Sequence, residues 1–257
     1  MERIQLPSKI SFTDTEPNVT DVVIEPCFPG YGTTLGNALR RVLLSSLPGA
    51  AITAVKITNA THEFATVPHV KEDVVDLILN LKGVRLAVHE GEGGTVMLKV
   101  KGEKVATAGD IKCPANIEIR NPEHVIATLT DKAADLEIEC TVGVGRGYVP
   151  VEQREKERLD LGVIAVDAIY TPVRNVNFAV EHVRVGQMTN YDKVTLTIRT
   201  DGTITPAAAF GDATHILVDH FQHLLESVPA VAVAEVADEK PAKKKKATKK
   251  EKAEDAE

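Results

Sequence analysis

No run of residues limits the fold more than Gly30–Gly49, which reads GYGTTLGNALRRVLLSSLPG. Thr33 or Thr34 can cap a helix there, because a hydroxyl oxygen accepts from the orphan amides of a first turn. Pro48 and Gly49 stop it. Leu35, Ala38, Leu39, Val42 and Leu43 recur at helical spacing and form one apolar stripe. At about 100° per residue, Leu44 falls between Arg40 and Arg41 on the opposite side, with Asn37 alongside. An apolar residue flanked by two guanidinium groups suits a partner surface, where Leu fills a pocket and Arg forks onto carboxylates or carbonyls. The plainer alternative is a core helix with two solvated arginines.

The glycines of this stretch admit a nucleotide-binding reading, since Gly30-x-Gly32-x-x-x-Gly36 approaches a dinucleotide fingerprint. Its last spacing is one residue too long, Pro26 and Pro29 separate it from the preceding strand, and no Lys-Ser or Lys-Thr pair follows. Tight turning and close backbone approach account for the glycines more simply. The chain's 257 residues suffice for one large domain or two modest ones. Aromatics make up only 4%, which disfavours stacking platforms for single-stranded nucleic acid. A net charge of −7 argues against the folded body as a general nucleic-acid binder. Cys27, Cys113 and Cys140 are odd in number and widely spaced, which suits neither a disulfide framework nor a zinc knuckle and fits a reducing cytoplasm. No apolar run spans a bilayer and the N-terminus lacks a signal-peptide core, so no membrane association is expected.

In chain order, Ile4–Phe12 and Asn18–Ile24 read as strands with turn signals at Asp14 and Pro17. Ala51–Ile57 reads as another strand, followed by a loop through His62-Glu63-Phe64. Val74, Leu77, Ile78 and Leu81 predict a helix over Lys71–Leu81, closed by Gly83. Val84–Val88 and Val96–Val100 flank a Gly-rich turn and read as two strands joined by it. Ile117–Ile119 and Val125–Leu129 are short strands, and the strict alternation of Leu136, Ile138, Cys140, Val142 and Val144 marks a half-buried one. Glu152–Asp160 is charged and reads as solvated loop. Asn177–Val185 and the alternating Val194, Leu196 and Ile198 are strands, running out to a hairpin-type turn at Asp201-Gly202.

Thr205-Pro206 opens a further helix, with Thr as cap and Pro at the first position. Phe210, Leu217, Phe221, Leu224 and Val228 recur on it at spacings of three and four, a seam of coiled-coil character. Together with the arginine helix it carries more apolar surface than one sheet face needs, which points to self-association. After Pro229 the chain turns into a lysine-rich tail that can form no core; it is expected to be disordered, touching nucleic acid weakly or serving only as a solubiliser. No catalytic constellation emerges. His220-x-x-His223 could place two imidazoles on one face, but without a third ligand exposed helix histidines are the better reading. No metal or cofactor is expected. No cluster of aspartates of the kind that holds two magnesium ions is present either.

The Gly30–Gly49 stretch resembles the first long helix of the bacterial RNA polymerase alpha subunit family. Further segments match that family in order over roughly residues 20–228: His62-Glu63-Phe64; Lys71–Lys82, with its Asn80-Leu-Lys82 ending; Gly145-Arg-Gly-Tyr-Val-Pro150; Val166–Val173; Asp192-Lys193; and Thr200-Asp-Gly-Thr-Ile, ending at Pro206. The resemblance implies an α+β fold in which residues 1–50 and 164–228 form a discontinuous dimerisation module. Residues 51–163 then form an inserted β-rich domain and 229–257 the tail. It implies a non-catalytic homodimeric scaffold, part of a nucleotidyltransferase complex, on which the beta and beta-prime subunits assemble in the cytoplasm. Leu35, Leu39, Val42, Leu43, Phe210, Leu217, Phe221 and Leu224 would form the dimer interface. Arg41 and Leu44, with Arg40 and His62, would meet beta; Lys82, Val173 and Arg184 would meet beta-prime. DNA would be met only indirectly, or weakly through the tail.

Some features depart from the family. Its usual C-terminal DNA-binding domain has no counterpart in this sequence. Thr197 and Arg199 stand where acidic residues are frequent, and the last helix begins Ala-Ala-Ala-Phe-Gly where charge is usual. Two rival readings belong to other classes: a stand-alone enzyme binding a nucleotide at Gly30–Gly36, and a nucleic-acid scaffold acting through the tail.

Overall fold

The computed structural model describes residues 4–89, 91–154, 160 and 162–228. The chain begins with β1 (Lys9–Glu16) and β2 (Val19–Cys27), then α1 (Tyr31–Ser45) and β3 (Pro48–Ile57). After a long loop come α2 (Val74–Lys82), β4 (Leu86–Val88), β5 (Gly93–Lys101), β6 (Lys104–Thr107), β7 (Ile111–Lys112), β8 (Ile117–Ile119) and β9 (Val125–Leu129). The long β10 (Asp135–Arg146) leads to the short β11 (Tyr148–Val149), β12 (Val163–Ala165) and β13 (Ala168–Ile169). The described chain closes with β14 (Val173–Val185), β15 (Met188–Thr200) and α3 (Pro206–Glu226).

Two sheets organise these elements, giving an α+β fold. The first has the order β1-β2-β15-β14, so its two hairpins are separated in sequence by the whole of the second sheet. Its alternation sorts side chains by face. Val22, Ile24, Val194, Leu196 and Ile198 point into a core with Leu39 and Leu43 of α1, Leu47 just after it, and Ala209 and Ala213 of α3. On the opposite face Thr197 Oγ1 donates to Asp21 at 2.6 Å, and Arg199 pairs with Glu16 at 2.9 Å.

The second sheet has the order β7-β5-β10-β3-β4-β8, with β12 also on β3. Val74, Leu77 and Leu81 of α2 pack against it with Val55, Leu98, Leu136 and Ile138. Asp73 starts α2 by accepting from the Asp76 amide at 2.8 Å, and the helix therefore begins three residues later than periodicity suggests. Arg85 of this larger body reaches Asp201 of the smaller one at 3.9 Å, with both side chains largely shielded.

Several local expectations change. Residues 4–8 are not strand, and Asp14 lies within β1; the turn falls at Pro17-Asn18, where Asn18 takes φ 62°. The strands on either side of the Gly90s turn are not a hairpin, because β10 and β3 lie between β5 and β4. Asp201-Gly202 leads from β15 into α3, and the real hairpin turn lies between β14 and β15 at Gly186, φ 60°. Gly83 does follow α2 but in right-handed conformation; its missing Cβ instead leaves room for the His124 ring. The charged segment's residues 155–159 and the tail from 229 lie outside the described residues.

Candidate assembly surfaces

The start of α1 is not capped by a threonine. Gly30, in left-handed conformation at φ 84°, is its N-cap. The amides of Gly30 and Gly32 both donate to Asp192 Oδ2, at 2.9 and 3.1 Å, from β15. Asp192 is almost wholly buried, and its other oxygen faces His182 Nδ1 at 3.3 Å. A carboxylate at a helix N-terminus satisfies orphan donors and opposes the helix dipole. It also takes the amides on which a bound phosphate would rely, so the nucleotide reading of Gly30–Gly36 falls. A Cβ on Gly36 would sit 2.5 Å from the Phe178 ring, so that glycine lets α1 lie directly on β14.

Along α1 the faces divide. Leu39 and Leu43 are buried in the protomer's own core, which removes them from any intermolecular surface; Leu35 and Val42 are partly covered. Arg40 and Arg41 are exposed, and among the described residues neither has an ion pair or side-chain hydrogen bond. Leu44 is half-buried beside them, and its carbonyl accepts from Thr171 at 3.4 Å. Two unengaged guanidinium groups next to a half-covered leucine can take up carboxylates or carbonyls of another molecule.

The start of α3 follows the sequence reading: Thr205 accepts from the Ala208 amide at 3.3 Å, and Pro206 occupies the first turn. Its first half packs on the small sheet through Ala209, Ala213, Ile216 and Leu217, and Phe210 meets Phe12 edge-on at 5.6 Å. From Val218 to Val228 every residue is exposed, including Phe221 at 62%, Leu224 at 61% and Leu225 at 75%. His220 and His223 are exposed on this half, and among the described residues no group of three metal-ligating side chains forms.

The remaining candidates are scattered. His62 is exposed in the loop after β3, beside an exposed Phe64. Lys82, at the end of α2, pairs with Asp167 at 3.1 Å. Arg184 is exposed and donates to the Gly186 carbonyl at 2.8 Å, within its own hairpin. Val173 is buried in the small core, so its side chain has no free surface to offer a partner. Sequence reasoning also missed Asp192 as the helix cap. The Asp192-Lys193 pair is conspicuous in the sequence, but its partners lie about 160 residues away, and nothing in local spacing points to them.

A family model of the RNA polymerase Rpb3/RpoA insert domain matches residues 55–171, from within β3 to just past β13. The DNA-directed RNA polymerase subunit alpha of Symbiobacterium thermophilum is 50% identical over 218 residues, covering 85% of this chain and 69% of that protein. That of Roseiflexus sp. is 48% identical over 218 residues, covering 85% and 67%. That of Alkaliphilus oremlandii is 47% identical over 222 residues, covering 86% and 70%. The chain belongs to the DNA-directed RNA polymerase alpha subunit family. As an alpha-family chain, it carries the insert matched by the family model on its larger sheet. The arginine helix and α3 lie on the smaller one. No described helix is long and apolar enough to cross a membrane.

Proposed function

We propose that this alpha-family chain is a non-catalytic assembly subunit of DNA-directed RNA polymerase, forming a homodimer that receives the beta and beta-prime subunits. The observation that carries the reading is the outer half of α3. Val218, Phe221, Leu224, Leu225 and Val228 stand exposed on a chain about half identical to alpha subunits over most of its length. An apolar helix face with no sheet of its own beneath it is stable in water when a second surface covers it. A two-fold pair lets each copy cover the other with the same residues.

On this reading Phe210, Leu217, Phe221 and Leu224, with the partly covered Leu35 and Val42, supply the dimer contact. Arg41 and Leu44, flanked by Arg40 and His62, receive beta. Residues 51–163, Lys82 among them, act as an inserted domain that, with Arg184, receives beta-prime. Co-expression with the two large subunits, followed by sedimentation and stepwise capture, tests it. A dimer that binds beta, and then beta-prime, is the expected result. A monomer that leaves both large subunits in the unbound fraction would sink it.

A further inference from the structure

The resemblance gives Lys82 to beta-prime, yet the structure gives its charge an internal destination. Lys82 Nζ lies 3.1 Å from Asp167 Oδ2, and the two side chains are only 23% and 33% exposed. Asp167 Oδ1 accepts from the Val151 amide at 3.1 Å. One carboxylate thus ties the last turn of α2 to Val151, at the end of the turn that begins at Tyr148. Just beyond, Arg154 Nη1 donates to the Thr53 carbonyl at 3.2 Å and Nη2 to the Val166 carbonyl. The segment runs alongside β13, where Tyr148 faces Ile169 across the ribbon. Tyr148 is 57% exposed, so what the clamp holds is also what the surface presents.

A lysine held this way has little freedom to reach a second carboxylate, because doing so would strip Asp167 of its cation. We propose that Lys82 is a positioning residue for beta-prime binding: through Asp167 it holds the Tyr148–Arg154 turn in its docking conformation and does not itself contact the partner. The proposal rests on the reading that the inserted body receives beta-prime. It differs from a direct contact in one respect that can be measured. If Lys82 touches beta-prime, removing Asp167 frees it and leaves capture intact or stronger. If Lys82 acts through Asp167, removing either residue disables the same device.

The test is a capture titration of beta-prime on the full-length dimer already loaded with beta, using Lys82→Ala, Asp167→Ala and the double variant. Each single substitution is expected to weaken capture about tenfold, and the double no more than either single. Dimer mass should stay unchanged and exchange of the Val151 amide should speed up. Lys82→Arg should retain capture when Asp167 is present and lose it when Asp167 is Ala. Undiminished capture by Asp167→Ala, or additive losses in the double variant, would overturn the proposal while leaving the wider reading in place. An unmodified dimer that binds beta but never beta-prime would strike the wider reading itself, and the proposal with it.

Discussion

In the larger body Leu77, Leu81, Leu98, Leu136 and Ile138 are sealed between α2 and the sheet, whereas in the smaller body Phe221, Leu224 and Leu225 stand in the open on the last turns of α3. Both bodies follow the same rule of one apolar face per element. They differ in where the second layer comes from. The larger body supplies its own, from α2 and the β6–β9 ribbon. The smaller body supplies only part, because α1 and the first half of α3 cover the sheet and the rest of α3 extends past it. Burial within one chain therefore separates side chains that stabilise the protomer from those that the proposed reading gives to assembly. By that criterion Leu39, Leu43 and Val173 belong to the first group, and Phe221 and Leu224 to the second.

The largest effect should come from breaking the sealed core. Leu136→Ala removes a fully buried side chain at the middle of the larger sheet and should cost about 2–5 kcal/mol in a denaturant titration. Its dimer mass below the transition should remain that of the unmodified chain. Phe221→Asp tests the open face. A buried aromatic at an interface is worth roughly 2 kcal/mol or more, and two-fold symmetry counts it once per copy. Sedimentation should show monomers or aggregates, with the protomer's secondary structure intact by circular dichroism; an unchanged dimer would undo the contrast between the two bodies.

Arg41→Ala sharpens the comparison within one helix. Arg41 is exposed while Leu39 and Leu43 are buried, so folding and dimerisation should survive its loss. Beta capture should fall by roughly 2 kcal/mol, and Arg41→Lys should restore little, having lost the planar fork. Arg40 points about 100° away at the flank of the same surface, so Arg40→Ala should weaken beta capture less. Full retention of beta by Arg41→Ala would return that helix face to an ordinary solvated one.

The smallest effect concerns pH. The Val151 amide, and after it Lys82, hold the Asp167 carboxyl below the ordinary carboxylate range. A group depressed on folding contributes its stabilisation above that range and loses it as pH falls through the folded value. The Val151 amide should therefore be protected at neutral pH and exchange progressively faster, relative to intrinsic rates, on acidification below about pH 4. In Asp167→Asn that acid-dependent component should vanish, and its persistence would place the titrating group elsewhere.

Much of the architecture can be read from the sequence wherever it depends on local pattern. The apolar spacing of α1, the Thr205-Pro206 start of α3 and the alternation along β10 from Leu136 to Val142 reappear in the structure, whereas Val144 at the end of that run is exposed. What escapes is pairing across long separations. The Gly-rich turn after β4 looks like a hairpin because adjacent strands commonly pair, but β10 and β3 pair with each other and lie between β5 and β4. The short β6 and β7 have too few residues to show a period. The surfaces divide in the same way. Helical spacing identifies which residues of α1 and α3 are apolar, yet it cannot say which are covered by the chain's own sheet. Leu39 and Phe221 look alike in the sequence and differ fully in exposure.

The hold of Asp192 on the first turn of α1 has a consequence for synthesis. The ribosome releases the arginine helix early, while the carboxylate that anchors its start arrives about 160 residues later, together with the strand that joins β2 to β14. Until β15 has emerged, the helix lacks its cap, and β14, the strand on which Gly36 lets it rest, is not yet joined to β2. A nascent chain broken off just past the insert, before β15, could bury that insert's core and still hold Arg41 on an undocked helix. Presentation of the arginine surface is thereby tied to completion of the strand that carries Asp192, so on the proposed reading an unfinished polypeptide lacks the geometry with which to recruit beta.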